Sequence, residues 1–216
     1  MSNPSWPSSR TYPLLQICHG TPGLLLLIAS AGKNKTFISK FGKVDWLEAV
    51  ALGSERIWEQ GLLSKGGGLC HGIGGNALVL LMLHDMFEYN PKIFTETQIN
   101  TLSVRAKSIF EPQKLSGDYF LSRALAMLLE CRNTRPFVDS NQNSQRQYRL
   151  PDNPFSLFEG LAGIVCAWAE SFIMIQARVM HDRLKAEGIH NILSEVRFQE
   201  IYKREFGFPV LSDSGL

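Results

Sequence analysis

Two short stretches, ICHGTPG at residues 17–23 and KGGGLCHGIGGN at residues 65–76, hold the residues best able to do chemistry. Each sets Cys-His-Gly directly ahead of an apolar run, which places a thiol and an imidazole at a predicted helix N-terminus. The neighbouring glycines allow positive φ and so let the backbone bring both side chains to one rim. A helix N-terminus favours negative charge, which predicts a lowered thiol pKa. Two such turns facing a common cavity would assemble Cys18, Cys70 and His71 into a Cys2His set. Two soft thiolates and an imidazole suit a tetrahedral zinc ion, with a fourth position open to water or substrate. A thiol bound there would ionise near neutral pH and become a sulfur nucleophile. The 52-residue spacing of the two cysteines matches no standard zinc-finger pattern, so a loop pair without a ligand stays open beside the zinc reading. Cys131 and Cys166 sit in apolar helical stretches and read as small buried hydrophobes. His84, His181 and His190 lie on helical or tail segments and read as core or surface histidines.

The elements that must position these residues follow a repeated plan. HGTPGLLLLIASA from His19, HGIGGNALVLLMLH from His71 and EGLAGIVCAWAESF from Glu159 each run from a small turn into an apolar helix. Such a recurrence predicts a repeat architecture even with a varying period. Helices apolar on nearly every face are expected to be buried. Residues 44–60 differ: Leu47, Val50, Ala51, Ile57 and Trp58 share one side, which predicts a one-faced amphipathic helix. Residues 118–131 follow the same pattern. Alternation of the two helix types predicts inner helices wrapped by outer ones, an all-α fold of helix hairpins. A further helix is expected at 95–110, and residues 132–154 read as a polar surface loop. The hairpin region is drawn as 1–178, and 179–216 as a charged helical tail.

Composition narrows the classes. With 216 residues, 44% of them hydrophobic, the chain can bury a core of its own. A net charge of +2 without a Lys/Arg block argues against a nucleic-acid partner. No run approaches the roughly 20 apolar residues of a membrane span, and the first residues show no secretory h-region. Four cysteines are too few for a disulfide scaffold, so a reducing, cytoplasmic setting is expected.

Taken together, ICHGTPG, GLLSKGGGLCHGIGGN and PDNPFSLFEGLAG resemble the lanthionine synthetase C-like family, eukaryotic type, over about residues 15–170. The resemblance implies an α/α toroid with a central zinc ion, of which this chain carries the C-terminal hairpins: a partial toroid, lacking the N-terminal half. It implies Cys18, Cys70 and His71 as metal ligands, with Lys65 and Arg149 as the contacts to glutathione. The implied reaction joins a thiol to a dehydroamino acid in a peptide or protein, forming a thioether. The family's acid/base residues come from the other half of the ring, and His19 is the candidate stand-in. Thiolate addition to an alkene needs a proton donor, and removing one costs roughly 10²–10⁴-fold in rate. Activity is therefore expected to depend on a chain that completes the ring. Peripheral association with the plasma membrane is a further expectation. A non-catalytic zinc and glutathione binder is the competing reading. A glycosidase ranks last, because Glu159 is the one carboxylate at an inner turn and such an enzyme needs two.

Overall fold

The computed structural model describes residues 15–41, 44–89, 99–110, 115–134, 136–137, 148–149 and 151–209. In chain order the helices are α1 Thr21–Gly32, α2 Lys35–Phe41, α3 Val44–Gln60, α4 Ile73–Tyr89, α5 Val104–Phe110, α6 Gly117–Glu130, α7 Leu161–Ala186 and α8 Val196–Tyr202. Among the described residues there is no strand, and Leu15 and Gly20 form an isolated bridge. The all-α expectation holds. Of the helix expected at 95–110, the described residues show α5 at Val104–Phe110, preceded by a non-helical break at residues 101–103; residues 95–98 lie outside the described residues.

The core is built on α4. Every residue from Ile73 to Met86 is buried, because α1 and α7 flank this helix and α6 also packs on it. Each Leu, Ile or Met so buried contributes roughly 1.5–3 kcal/mol. The outer α3 buries Leu47, Val50, Ala51 and Ile57 toward α1, as the periodicity predicts. Trp58 departs from that face. It is exposed, and its indole lies 4.9 Å beneath the Arg123 guanidinium, a cation–π contact that accounts for an aromatic ring in solvent.

The expectation that all three apolar helices are buried fails for two of them. Leu24 and Leu27 on α1 are 49% and 65% exposed, and Val165, Phe172 and Val179 on α7 are 51%, 61% and 63% exposed. Among the described residues neither helix has a second neighbour on that side, and one apolar stripe of each is exposed. Contrary to the sequence expectation, α7 is also long and apolar enough, by length and composition, to cross a membrane. Its other face supplies core residues such as Ile164, Ala167 and Met174, as a core helix does.

Helix α7 continues unbroken across residues 178–179, where composition drew a boundary. The chain beyond it folds back: Ile192 and Phe198 pack on Tyr89, Ala177 and Leu184. A buried polar cluster locks this return. Lys33 Nζ lies 3.0 Å from Asp85 Oδ2 and 3.1 Å from Glu205 Oε2. Tyr202 donates to Asp85 at 2.6 Å, while the Phe206 and Gly207 amides donate to Glu170 at 2.8 and 3.2 Å. Burial opposes the Lys33 charge, but Asp85 and Glu205 outweigh it and hold the ammonium above its usual range.

Candidate metal centre

The three turns share one geometric device. A Cβ added to Gly23, Gly75 or Gly163 would collide with the carbonyl oxygen six residues earlier, at Ile17, Leu69 and Leu157 respectively. Each turn is therefore drawn tight enough that only hydrogen fits at the closing glycine. The turns also bond to one another: the Ile17 amide donates to Cys70 O at 3.0 Å, and the Cys70 amide donates to Phe158 O at 2.7 Å. Asn76, buried in the first turn of α4, donates to Leu15 O at 3.3 Å and to Gly61 O at 2.9 Å. One amide thus ties the approach to each Cys-His-Gly turn to the same helix.

These bonds place Cys18, Cys70 and His71 together, with one ligand atom from each lying within 4.8 Å of the others. Cys18 Sγ is 4.0 Å from His71 Nδ1. Cys18 is exposed and the other two are half-buried, so the cluster is open to solvent on one side. All four cysteines are free thiols.

The expected lowering of the thiol pKa at the helix N-terminus is overturned for Cys70. Burial, followed by the adjacent Cys18, pushes this thiol up to about 11. Two thiols at such range resist a second negative charge, and a dication is what would reverse that resistance. His71 is shifted down, first by burial and then by the Lys65 charge, and so favours the neutral imidazole that a metal needs. Two thiols and a neutral imidazole converging on one open-sided point fit zinc as its three protein ligands.

His19 is exposed beside Cys18, and its charge, like that of Lys65, bears on His71. The Arg149 amide donates to Ser64 O at 2.8 Å, so Arg149 and Lys65 leave from adjacent backbone, both exposed. The structure therefore brings Cys18, Cys70 and His71 together, with His19 next to Cys18 in the chain and Arg149 joined by its backbone to the residue before Lys65. His84 is a core residue whose Nδ1 lies 2.8 Å from Gly117 O, His181 is partly buried, and His190 is exposed. Sequence reasoning weighed Glu159 only as a lone carboxylate lacking the second one a glycosidase needs, and missed its surroundings. Its Oε1 stands 3.8 Å from His71 Nε2, and Asn153 donates to its Oε2 at 2.8 Å. The repeated turn ahead of α7 was the signal that this residue returns to the same centre.

Fold and cluster together define an all-α protein of apolar helices entered through glycine turns, with a centre of two thiols and one imidazole. The chain matches the lanthionine synthetase C-like protein family over residues 2–122, more than half its length, and belongs to that family. It is 32% identical over 152 residues to glutathione S-transferase LANCL1 of Danio rerio, an alignment covering 70% of this chain and 27% of that protein. It is 30% identical over 180 residues to LanC-like protein GCL1 of Arabidopsis thaliana, covering 78% of this chain and 32% of that one. The chain thus spans about a third or less of the length of these relatives. The family match includes both Cys-His-Gly turns and ends before the turn at Glu159.

Proposed function

We propose that the chain holds zinc on Cys18, Cys70 and His71 and takes part in adding a thiol, glutathione, to dehydroamino acids in a peptide or protein. The observation that carries this reading is the convergence of three ligand atoms within 4.8 Å, supplied by turns far apart in sequence. Family membership supports it, as does the glutathione S-transferase name of the relative from Danio rerio. Zinc, when bound, would favour the thiolate form of a thiol entering the open position.

The chain's own residues supply the rest. Lys65 and Arg149, exposed and leaving from adjacent backbone, offer two cations, and the two carboxylates of glutathione match them, Arg149 through its bidentate fork. The sulfur then bonds to the β-carbon of dehydroalanine or dehydrobutyrine. The alkene electron pair moves toward the carbonyl, and a proton is delivered to the α-carbon. The net change is addition of S–H across C=C, with no leaving group. His19, exposed at the rim, is the proposed proton carrier. A further chain that covers the exposed faces of α1 and α7 completes the ring in this reading. The setting is the reducing cytoplasm, with peripheral contact at the plasma membrane.

The test is incubation of zinc-loaded chain with glutathione and a dehydroalanine peptide, read by mass spectrometry. A one-glutathione adduct, lost on chelation and in Cys70→Ala, is expected. Calorimetry with glutathione separates the alternative. Binding that weakens in Lys65→Ala and Arg149→Ala, without adduct, would leave the chain a non-catalytic binder. Neither adduct nor binding would remove the proposal.

A further inference from the structure

The third turn contributes no ligand to the cluster, yet it is bonded to the second turn as tightly as the first is. We infer that its purpose at this centre is Glu159, a positioning residue that accepts the Nε2–H of His71 and so commits Nδ1 to the metal. The inference rests on the zinc reading above. His71 presents Nδ1 toward Cys18 Sγ at 4.0 Å and Nε2 toward Glu159 Oε1 at 3.8 Å, so its two nitrogens face two different partners. At 3.8 Å the second approach is an ion-pair distance, longer than a hydrogen bond. A histidine that binds a metal through one nitrogen commonly donates from the other to a carboxylate, which fixes the tautomer and the ring plane.

The carboxylate is held for this task. Asn153 Nδ2 donates to Glu159 Oε2 at 2.8 Å, which leaves Oε1 free for the imidazole. The Glu159 amide donates to Ser156 Oγ at 3.2 Å, and the preceding carbonyl, Phe158 O, receives the Cys70 amide at 2.7 Å. Gly68 presses on the Glu159 backbone so closely that any Cβ there would collide with it. The ligand Cys70 and the residue that orients the next ligand are thus fixed to each other through main chain. Glu159 is also part-buried, its side chain 27% exposed against 18% for His71, so water competes only partly for the contact. Lys65, Asp152 and His19 also act on His71 through space, but Glu159 is the carboxylate within 4 Å of its ring.

The experiment measures zinc affinity by competition with a chromophoric chelator, for wild type and for Glu159→Ala, Glu159→Gln and Asn153→Ala. Long-range ¹H–¹⁵N spectra of His71 in the zinc-loaded chain read which nitrogen is ligated. Expected are a zinc affinity about 10–100-fold weaker in Glu159→Ala, substantial rescue in Glu159→Gln, whose carbonyl still accepts from Nε2–H, and an intermediate loss in Asn153→Ala. The wild-type spectrum should show Nδ1 ligated and Nε2 protonated. Urea midpoints of the metal-free variants should match wild type, which separates orientation from general stability. Wild-type affinity in Glu159→Ala, or ligation through Nε2, overturns the orienting role and leaves the zinc reading standing. No zinc in wild type overturns both.

Discussion

Replacing Gly75 by alanine tests most directly how the fold delivers the centre. Gly75 sits in the first turn of α4, four residues after His71. Its added Cβ would meet Leu69 O far inside 3.0 Å, a limit that real Cβ contacts essentially never pass. The obstacle is backbone, so no side chain can swing away. The six-residue turn from Leu69 must open, and Cys70 and His71 lie inside it. Its opening also breaks the Gly75 amide bond to Gly68 O at 3.2 Å and strains that from Cys70 to Phe158 O at 2.7 Å. Overpacking a tight site costs about 1–3 kcal/mol, and a buried hydrogen-bonding group left unpaired costs about 1–3 kcal/mol more. Gly75→Ala should therefore lose roughly 2–6 kcal/mol in urea unfolding of the metal-free chain. Gly188→Ala is the comparison. It has nothing within 4 Å and only a positive φ of 79° to oppose the change, so about 1 kcal/mol is expected. If Gly75→Ala lost no more than Gly188→Ala, the turn would not be drawn tight at its closing glycine and the reasoning would be refuted.

Three further outcomes follow from the same structure. Asn76→Leu should cost about 2–4 kcal/mol in urea unfolding, because Leu15 O and Gly61 O each lose a donor in a buried place; a loss under about 0.5 kcal/mol would show that water replaces the amide. The carboxyl of Glu205 is held well above the ordinary carboxylate range, first by burial and then by Asp85, against the pull of Lys33. The folded chain then keeps a proton that the unfolded chain gives up above about pH 4.3. This contribution is complete below that pH and declines as pH rises toward the folded pKa, by up to about 1.4 kcal/mol per pH unit. Glu205→Gln should flatten stability against pH between about pH 5 and 9, and an unchanged slope in urea midpoints would count against it. Leu27→Gln and Phe172→Gln, on the exposed stripes of α1 and α7, should reduce self-association in light scattering while changing stability by about 0.5 kcal/mol or less; undiminished association would place the sticky surface elsewhere.

Much of this was legible in sequence because it depends on local pattern. The unbroken apolar run of α4 announces full burial, and the one-sided pattern of α3 does so for every position except Trp58. The two Cys-His-Gly turns announce a thiol and imidazole pair at each helix tip, while reading them as repeats left open whether the two tips meet. What periodicity could not show was the partner set of each face. Leu24, Leu27 and Phe172 read as core because they are apolar, yet whether a helix face is covered depends on a neighbour, not on the face itself. The thiol pKa went the other way for a related reason. A helix tip stabilises thiolate locally, but the dominant influences on Cys70 are burial and a cysteine 52 residues away. Glu159 was visible and its partners were not, since Asn153 and His71 meet it only after three turns close on one another.

The most direct test of the centre is zinc content per chain in protein purified without chelator, measured alongside Cys70→Ala. About one zinc per wild-type chain, lost in the variant, is the predicted result. Soluble, folded wild type without zinc, or a variant that retains it, would contradict the assignment of Cys18, Cys70 and His71 as its ligands.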